Sequence, residues 1–415
     1  MNVTMSHDRA VREPGFYRAK DSGETLEAAE RVTKSMSLEG LVEKTGLDRT
    51  GIPCFSFIRK KNAIGGCGLH YGAGYDIKQA KVETLLSAIG QQSSEYHGDR
   101  MDIMSFEDIG FLKGIIPEDL LLPKKLKEKE NIQWSSARDI MNEKEMLVPS
   151  NAVFHPYDCL GLVQSLFRSN TLGIAAGNTY AEAILYGLYD VILIDALSDA
   201  ETQRDHGKKI LIGEKGVARE MMDRLEAAGI MVNLWLLNSR SGLPCVVAAA
   251  NDEISKKPGY LVSGFGSHLD PELAVISAMN GVVRERIDYI ENGQYNQVRE
   301  AVLEKTGYER LKRINRLWYG ESESISIDDI GSSVSGFLDD DVNEVVNMLE
   351  SHADHVLVAD LTRTEIPVVR VIIPGFKLSH LDPGRTGDNG AEDDLLKDDG
   401  LFSMDTGGRD FQPGR

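Results

Sequence analysis

The chain alternates between two hydrophobic periods, and the points where the period changes mark its elements. Residues 52–60, IPCFSFIRK, alternate apolar and polar side chains and predict a strand. The following GGCGLHYGAG is dominated by glycine and reads as a flexible connection whose glycines permit positive φ. A helical period comes next. Asp76 is its expected N-cap, Gln79 the capping-box partner, and Leu85, Leu86 and Ile89 its apolar face. A second helix begins at Asn178-Thr179, with Thr179 and Glu182 as a capping box and a stripe through Ile184, Leu185, Leu188, Val191 and Ile192. A third opens on Asp270-Pro271-Glu272 and runs through Ile290. Helical spacing also marks TLEAAERVTKSM and residues 296–316, while MVNLWLLN, LPCVVAAA and GYLVSGFG read as strands. Two late runs, HVLVADLT and PVVRVIIPG, are β-branched, bounded by turns and expected inside a sheet.

Interleaved strands and helices without a regular βαβ rhythm predict an α+β fold, with pseudo-repeated strand–helix units around mixed sheets. Three regions follow: a helical and polar segment at 1–44, one large domain at 45–381, and an acidic disordered tail at 382–415 rich in Gly and Asp. The dense charge of residues 117–130 predicts an exposed element. At 41% hydrophobic and 27% charged, the 415 residues have the composition of a globular protein. A net charge of −19 argues against non-specific nucleic-acid binding, which needs clustered Lys and Arg. No apolar run is long enough to span a bilayer and no signal-peptide pattern opens the chain, so the expected location is cytoplasmic, with neither nucleic acid nor membrane as partner.

Familiar chemistry is sparse. Cys54, Cys67, Cys159 and Cys245 are far apart and form no CxxC pair, which argues against a zinc or redox site. The glycine-rich stretch lacks the Gly-Lys-Ser/Thr of a phosphate loop, and neither GxSxG nor HExxH occurs. His70, His97, His155 and His268 are isolated in sequence. Glu182 and Asp190 lie eight residues apart, roughly on one helix face, where a divalent cation would need them.

Four segments in register resemble the YcaO family. GAGYDIKQAKVETLLSAIGQQS, GNTYAEAILYGLYDVILIDAL and GFGSHLDPELAVISAM resemble its first, second and third segments, and VLVADLTRTEIPVVRVIIPGF its final strand pair. The likeness covers about residues 45–378, so the domain at 45–381 is identified as a YcaO domain. LVEKTGLDRTGIPCFSFIRK looks like the methanogen-type subgroup, associated with thioamidation of a glycine in methyl-coenzyme M reductase. The resemblance implies a YcaO-like fold using ATP and Mg²⁺ to phosphorylate a peptide amide oxygen, with azolines or thioamides as products. It also implies a homo- or heterodimer, working on a peptide or protein substrate or beside an active YcaO-type enzyme.

Against the family pattern, the framework is kept and the charges are not. The family's lysine between two glycines falls on Ala73, and its Ser, Glu, Glu and Arg on Glu83, Ser87, Gly90 and Gln91. Asn178 and Glu182 match, whereas the next Glu, Glu and Arg fall on Asp190, Leu193 and Ile194. The third segment's Glu and Gln fall on Gly281 and Arg284, with Arg286 and Arg370 kept. Carried over by position, Asn178, Glu182, Asp190 and Arg286 are the residual nucleotide-site matches, Glu83 is a substitute, and Glu182 and Asp190 would be the metal ligands. No catalytic residue is expected to be retained. The expected function is a non-catalytic partner or substrate-docking paralogue in peptide amide modification, needing no cofactor. The alternatives are an active thioamide-forming enzyme with a rebuilt site for ATP and Mg²⁺, and a regulatory or structural interaction protein.

Overall fold

The computed structural model describes residues 6–36, 40–59, 68–110, 113–158, 161–293 and 297–385. Two short strands come first, β1 (Val11–Glu13) and β2 (Phe16–Arg18), paired antiparallel across Pro14-Gly15, where Gly15 adopts a φ of +72°. Helix α1 (Ser22–Ser35), capped by Asp21, is followed by β3 (Leu41–Glu43), β4 (Cys54–Ile58), β5 (Leu69–Ala73) and helix α2 (Ile77–Ser93). Next come β6 (Asp102–Met104), a single turn α3 (Phe106–Ile109), β7 (Ile132–Asp139), β8 (Lys144–Pro149), β9 (Ile174–Ala176) and the long α4 (Tyr180–Gln203). The chain continues through β10 (Lys208–Leu211), α5 (Val217–Ala227), β11 (Ile230–Leu236), β12 (Cys245–Asp252), β13 (Val262–Ser267) and α6 (Pro271–Asn292). It closes with α7 (Gln297–Thr306), α8 (Tyr308–Ile314), α9 (Arg316–Tyr319), β14 (Ser324–Ser326), α10 (Leu338–Leu349), β15 (Leu357–Asp360) and β16 (Val368–Ile372).

These elements make the expected α+β architecture. A three-stranded sheet β3-β4-β5, a six-stranded sheet with the path β6-β7-β15-β16-β9 and β8 paired to β7, and a five-stranded sheet β13-β12-β11-β10-β14 are antiparallel throughout, except that β10 and β14 run parallel. Each principal helix leaves the end of a strand and packs on that strand: α2 on β5, α4 on β9, α6 on β13. Helix α4 also touches β16 and β13, one from each large sheet. Its interior positions Ile184, Leu185, Leu188, Ile192 and Leu197 are almost wholly buried, and at about 1.5–3 kcal/mol per side chain they anchor both sheets to one rod. No helix among the described residues is long and apolar enough to cross a membrane.

Several expectations hold and several need correcting. The three helices start at their expected caps, and the two late strands lie in the six-stranded sheet, buried but for Asp360 at the end of β15. The glycine-rich stretch is not a flexible connection: Leu69–Ala73 is strand β5, and residues 65–67 lie outside the described residues. Its glycines serve close approach, since neither Gly72 nor Gly74 has positive φ. A Cβ on Gly72 would sit 2.3 Å from the Thr84 backbone nitrogen, and one on Gly74 2.6 Å from that of Ala80. Neither expected capping box closes. Asp76 and Thr179 do accept from the backbone of Gln79 and Glu182, at 2.9 and 3.2 Å, but both partner side chains turn to the β1–β2 hairpin instead. Residues 296–316 break into three short helices, α7 to α9.

Of the expected tail, residues 386–415 lie outside the described residues; Pro383 and Gly384 are exposed, but Arg385 turns back into the protein. Arg385 is buried there over the Phe167 ring and donates to the Leu120 and Leu121 carbonyls. Burial lowers its guanidinium to about 10. Among the cysteines, Cys54 and Cys245 are buried free thiols, each pushed up to about 12 by burial, while Cys67 and Cys159 fall outside the described residues.

Candidate functional site

The β1–β2 hairpin closes a space between α2, α4 and α6. Pro14-Gly15 forms its turn, and Gln79 on α2 holds that turn by donating Nε2–H to the Pro14 carbonyl at 2.9 Å. Phe16 and Tyr17 are buried, and the Tyr17 hydroxyl donates to Asp341 of α10 at 2.6 Å. Arg18, next in line, is carried into the protein with only 3% of its side chain exposed.

Its guanidinium joins two helices. Nη1 donates to Glu182 Oε1 on α4 at 2.6 Å and Nη2 to Glu83 Oε1 on α2 at 2.7 Å, while the group lies 4.4 Å from the centroid of the Tyr186 ring. Burial disfavours its charge, but the carboxylates of Glu83 and Glu182 outweigh that effect and push it well above its ordinary value. Glu182 has no exposed side-chain surface. It accepts further hydrogen bonds from the Ala19 backbone at 2.9 Å and from Asn178 Nδ2, which also donates to Thr25 Oγ1. Both carboxylate oxygens of Glu182 are therefore already engaged by the chain itself.

Two cavities flank this cluster and share Glu83, Tyr186, Asp190 and Arg284 as a common wall. The first, about 330 Å³, adds Arg18, His70, Tyr71, Ser87, Gly90 and Gln91 to its lining. There Arg59 Nε donates to His70 Nε2 at 3.2 Å, which leaves His70 Nδ1–H to donate to Ser87 Oγ, also at 3.2 Å. The second, about 230 Å³, lies against the hairpin turn, Ala73, Leu193, His268 and Asn280. Asp190 accepts from the Gly173 backbone at 2.8 Å.

The residues carried over by position therefore divide. Asn178 and Glu182 come together, as parts of one internal network. Glu83 and Asp190 face the cavities. Arg286 does neither: fully buried, it donates to Asp48 through Nε (2.7 Å) and Nη2 (2.9 Å) and to Asp252 through Nη1 (3.1 Å). The reason is helical geometry, because a step of two residues from the cavity-lining Arg284 turns about 200° around α6. Arg370 lines a separate small cavity and donates to the Val153 carbonyl and Asn170. The residue that sequence reasoning missed is Arg18. A Pro-Gly turn signal precedes it, but nothing nearby indicates a partner 164 positions away.

The first cavity carries four carboxylates, Glu83, Asp190, Glu285 and Asp288, and two guanidinium groups, Arg18 and Arg284. Ser87 and Gly90 bring no charge to the first cavity, and Leu193 and Ile194 are buried apolar side chains. Among the described residues, the group of three His, Cys, Asp or Glu ligand atoms close enough to share a metal ion is His7, Asp339 and Asp340, which includes neither Glu182 nor Asp190. That trio has its own bond, His7 Nδ1 to Asp339 at 2.9 Å, and exposed acidic groups of this kind occur commonly without an ion.

Largely antiparallel sheets, each feeding a glycine-tightened strand into a long capped helix, with polar cavities where those helices meet, define an α+β protein of pseudo-repeated strand–helix design. The family described as YcaO cyclodehydratase, ATP- and Mg²⁺-binding, matches residues 71–377, and this chain belongs to it. It is 36% identical over 389 residues to an uncharacterized protein of Methanothermobacter thermautotrophicus, covering 92% of this chain and 98% of that one. Its fold is similar to YcaO from Methanopyrus kandleri bound with AMPPCP and Mg²⁺, with a TM-score of 0.77, 26% identity, and coverage of 92% of this chain and 98% of the other. A heterocyclase in complex with substrate and cofactor shares the fold at a TM-score of 0.79 and 18% identity, covering 90% of this chain and 54% of that one.

Proposed function

We propose that this chain is a non-catalytic member of its family. It serves ATP-dependent modification of peptide-backbone amides by docking a peptide or protein substrate, or an active YcaO-type enzyme, in a homo- or heterodimer. The observation that carries this reading is the Arg18–Glu182 pair. Glu182 is the carboxylate on α4 that matches the family pattern, and its charge is already neutralised by a buried guanidinium and backbone and amide N–H groups. A divalent cation brought to it would lie beside Arg18 and be repelled. Replacement of the other carboxylate positions by Ser87, Gly90 and Leu193 acts in the same direction.

One observation favours a second reading, an active thioamide-forming enzyme with a rebuilt nucleotide site. Glu83, Asp190 and Arg284 face both cavities and offer charge of both signs. Calorimetric titration of the full chain with ATP and with a non-hydrolysable analogue, each with and without Mg²⁺, separates the two. The docking role predicts no Mg²⁺-dependent heat and no thermal stabilisation. Saturable, Mg²⁺-dependent binding at micromolar concentration, with hydrolysis when a peptide is present, overturns it in favour of the rebuilt site.

A further inference from the structure

The wall shared by the two cavities holds a cation and an anion whose hydrogen-bonding capacity the network around Arg18 leaves unspent. Arg284, half-buried on α6, lines both cavities, and its guanidinium makes no hydrogen bond or ion pair with a described residue. Five N–H donors therefore stand ready in that wall. Glu83, on α2, gives Oε1 to Arg18, while its Oε2 has no hydrogen-bond partner among the described residues. With 37% of its side chain exposed, Glu83 is within reach of anything that enters. Other carboxylates nearby are committed elsewhere: Asp190 accepts from the Gly173 backbone and Asp288 from Asn292, each at 2.8 Å.

The surrounding charge decides which anion Arg284 can take. Arg18 is neutralised by Glu182 and Glu83, and neither cavity lining adds another lysine or arginine. Arg284 thus shares its surroundings with Asp190, Glu285 and Asp288 and no second free cation among the described residues. A phosphate, with close to two negative charges, would gain one guanidinium and meet those three carboxylates. A carboxylate brings a single charge and fits the guanidinium fork with two parallel N–H···O bonds. An ammonium on the same ligand finds its acceptor in Glu83 Oε2, with Asp190 adding negative charge from the same wall. From that wall the second cavity, about 230 Å³, extends along Leu193, Phe265, Leu273 and Ile276, an apolar side suited to an aliphatic group.

We infer that the wall between the cavities binds a free α-amino acid with an aliphatic side chain. Its carboxylate accepts from Arg284, its ammonium donates to Glu83 Oε2 beside Asp190, and its side chain lies in the second cavity against Leu193, Phe265 and Leu273. Both charges are required. A carboxylate without the ammonium adds to the negative charge of the site, and an amine without the carboxylate leaves the guanidinium unpaired. A residue within a peptide has neither charge and a chain end only one, so the occupant is a free amino acid and not a docked chain. Because Glu83, Asp190 and Arg284 come from α2, α4 and α6, the ligand ties three helices together and stabilises the fold by binding it. This site goes beyond the docking role proposed above and does not rest on it.

The test is a ligand-observed NMR titration of the full chain, paired with thermal unfolding. The probes are L-leucine, L-valine, L-methionine, N-acetyl-L-leucine, L-leucinamide, leucyl-leucine and inorganic phosphate. At least one of the three free amino acids is expected to saturate and to raise Tm. N-acetyl-L-leucine, which lacks the ammonium, and L-leucinamide, which lacks the carboxylate, should each bind about tenfold more weakly than L-leucine, because each loses a hydrogen bond to a charged group. Arg284→Gln should erase the preference for L-leucine over L-leucinamide and leave the Tm of the free chain unchanged. A purely structural Arg284 would shift Tm and leave that preference intact. Should the variant not fold, the comparison of L-leucine with its acetylated and amidated forms on the unaltered chain decides alone. Equal affinity for L-leucine and L-leucinamide, tighter binding of leucyl-leucine or phosphate, or saturation by none of the three amino acids overturns the site. Because these titrations contain neither ATP nor Mg²⁺, their failure is separate from any failure of the non-catalytic reading.

Discussion

The starts of α2 and α4 are built to one plan and differ in one charge. In each, a glycine ends the preceding strand so close to the helix that a Cβ would meet a backbone nitrogen six residues on: Ala80 at 2.6 Å from Gly74, Ala183 at 2.7 Å from Gly177. In each, a polar N-cap follows two residues after the glycine, and the side chain five residues after it reaches the N-terminal hairpin. At α2 that side chain is Gln79, which holds the Pro14 carbonyl and leaves its Oε1 buried without a hydrogen-bond partner among the described residues. At α4 it is Glu182, which draws in Arg18 and is left with no free oxygen. The comparison teaches that a buried amide can be left with one atom unpaired, whereas a buried carboxylate is stable only once the chain has supplied its counter-charge.

The largest effect is expected from breaking the charged end. Arg18→Ala leaves Glu182 buried and unpaired, and should lower the unfolding free energy by about 3–5 kcal/mol in a denaturant titration. A loss of under 1 kcal/mol would mean that Glu182 does not depend on Arg18. The neutral end should be sensitive to acid. His268 binds its proton at about 3 in the folded chain, against an ordinary 6.5, so its contribution is fully present above pH 6.5 and is lost as pH falls through that value. That loss should reach about 2 kcal/mol between pH 8 and pH 5, and His268→Gln should remove this part of the pH profile. The smallest effect belongs to Gln79→Ala. It deletes one hydrogen bond and one unpaired acceptor together, for a net change of about 1 kcal/mol or less. Glu182→Ala, which strands Arg18 with Glu83 alone, should cost several times more.

Local sequence signals carried the helices and their caps, because Asp76, Thr179 and Asp270 act on neighbours two or three residues away. Glu83, Asp190, Asn178 and Glu182 were named by position from the family resemblance, and the fold sets Asn178 and Glu182 in one network with Glu83 and Asp190 on the cavity walls beside it. Local signals misjudged β5, because a glycine required for close approach is indistinguishable in sequence from one required for positive φ. Arg286 was misplaced, because a match by motif says nothing about which side of α6 meets the cavity. Arg18 was beyond reach for a different reason: its partners lie 65 and 164 positions away, and only the tertiary fold brings them to it. Strand order has the same character, with β10 pairing to β14 across more than a hundred residues.

The hairpin that carries Arg18 also constrains when the protein can be finished. Tyr17 and Arg18 are made well before their partners: Asp341 follows Tyr17 by 324 residues and Glu182 follows Arg18 by 164. At about 5–20 residues per second, the wait for Asp341 is roughly 15–65 s. Throughout that interval the Tyr17 hydroxyl has no Asp341 carboxylate to bind. The hairpin therefore docks long after it is made, and its contact with α10 closes only once translation has passed that helix.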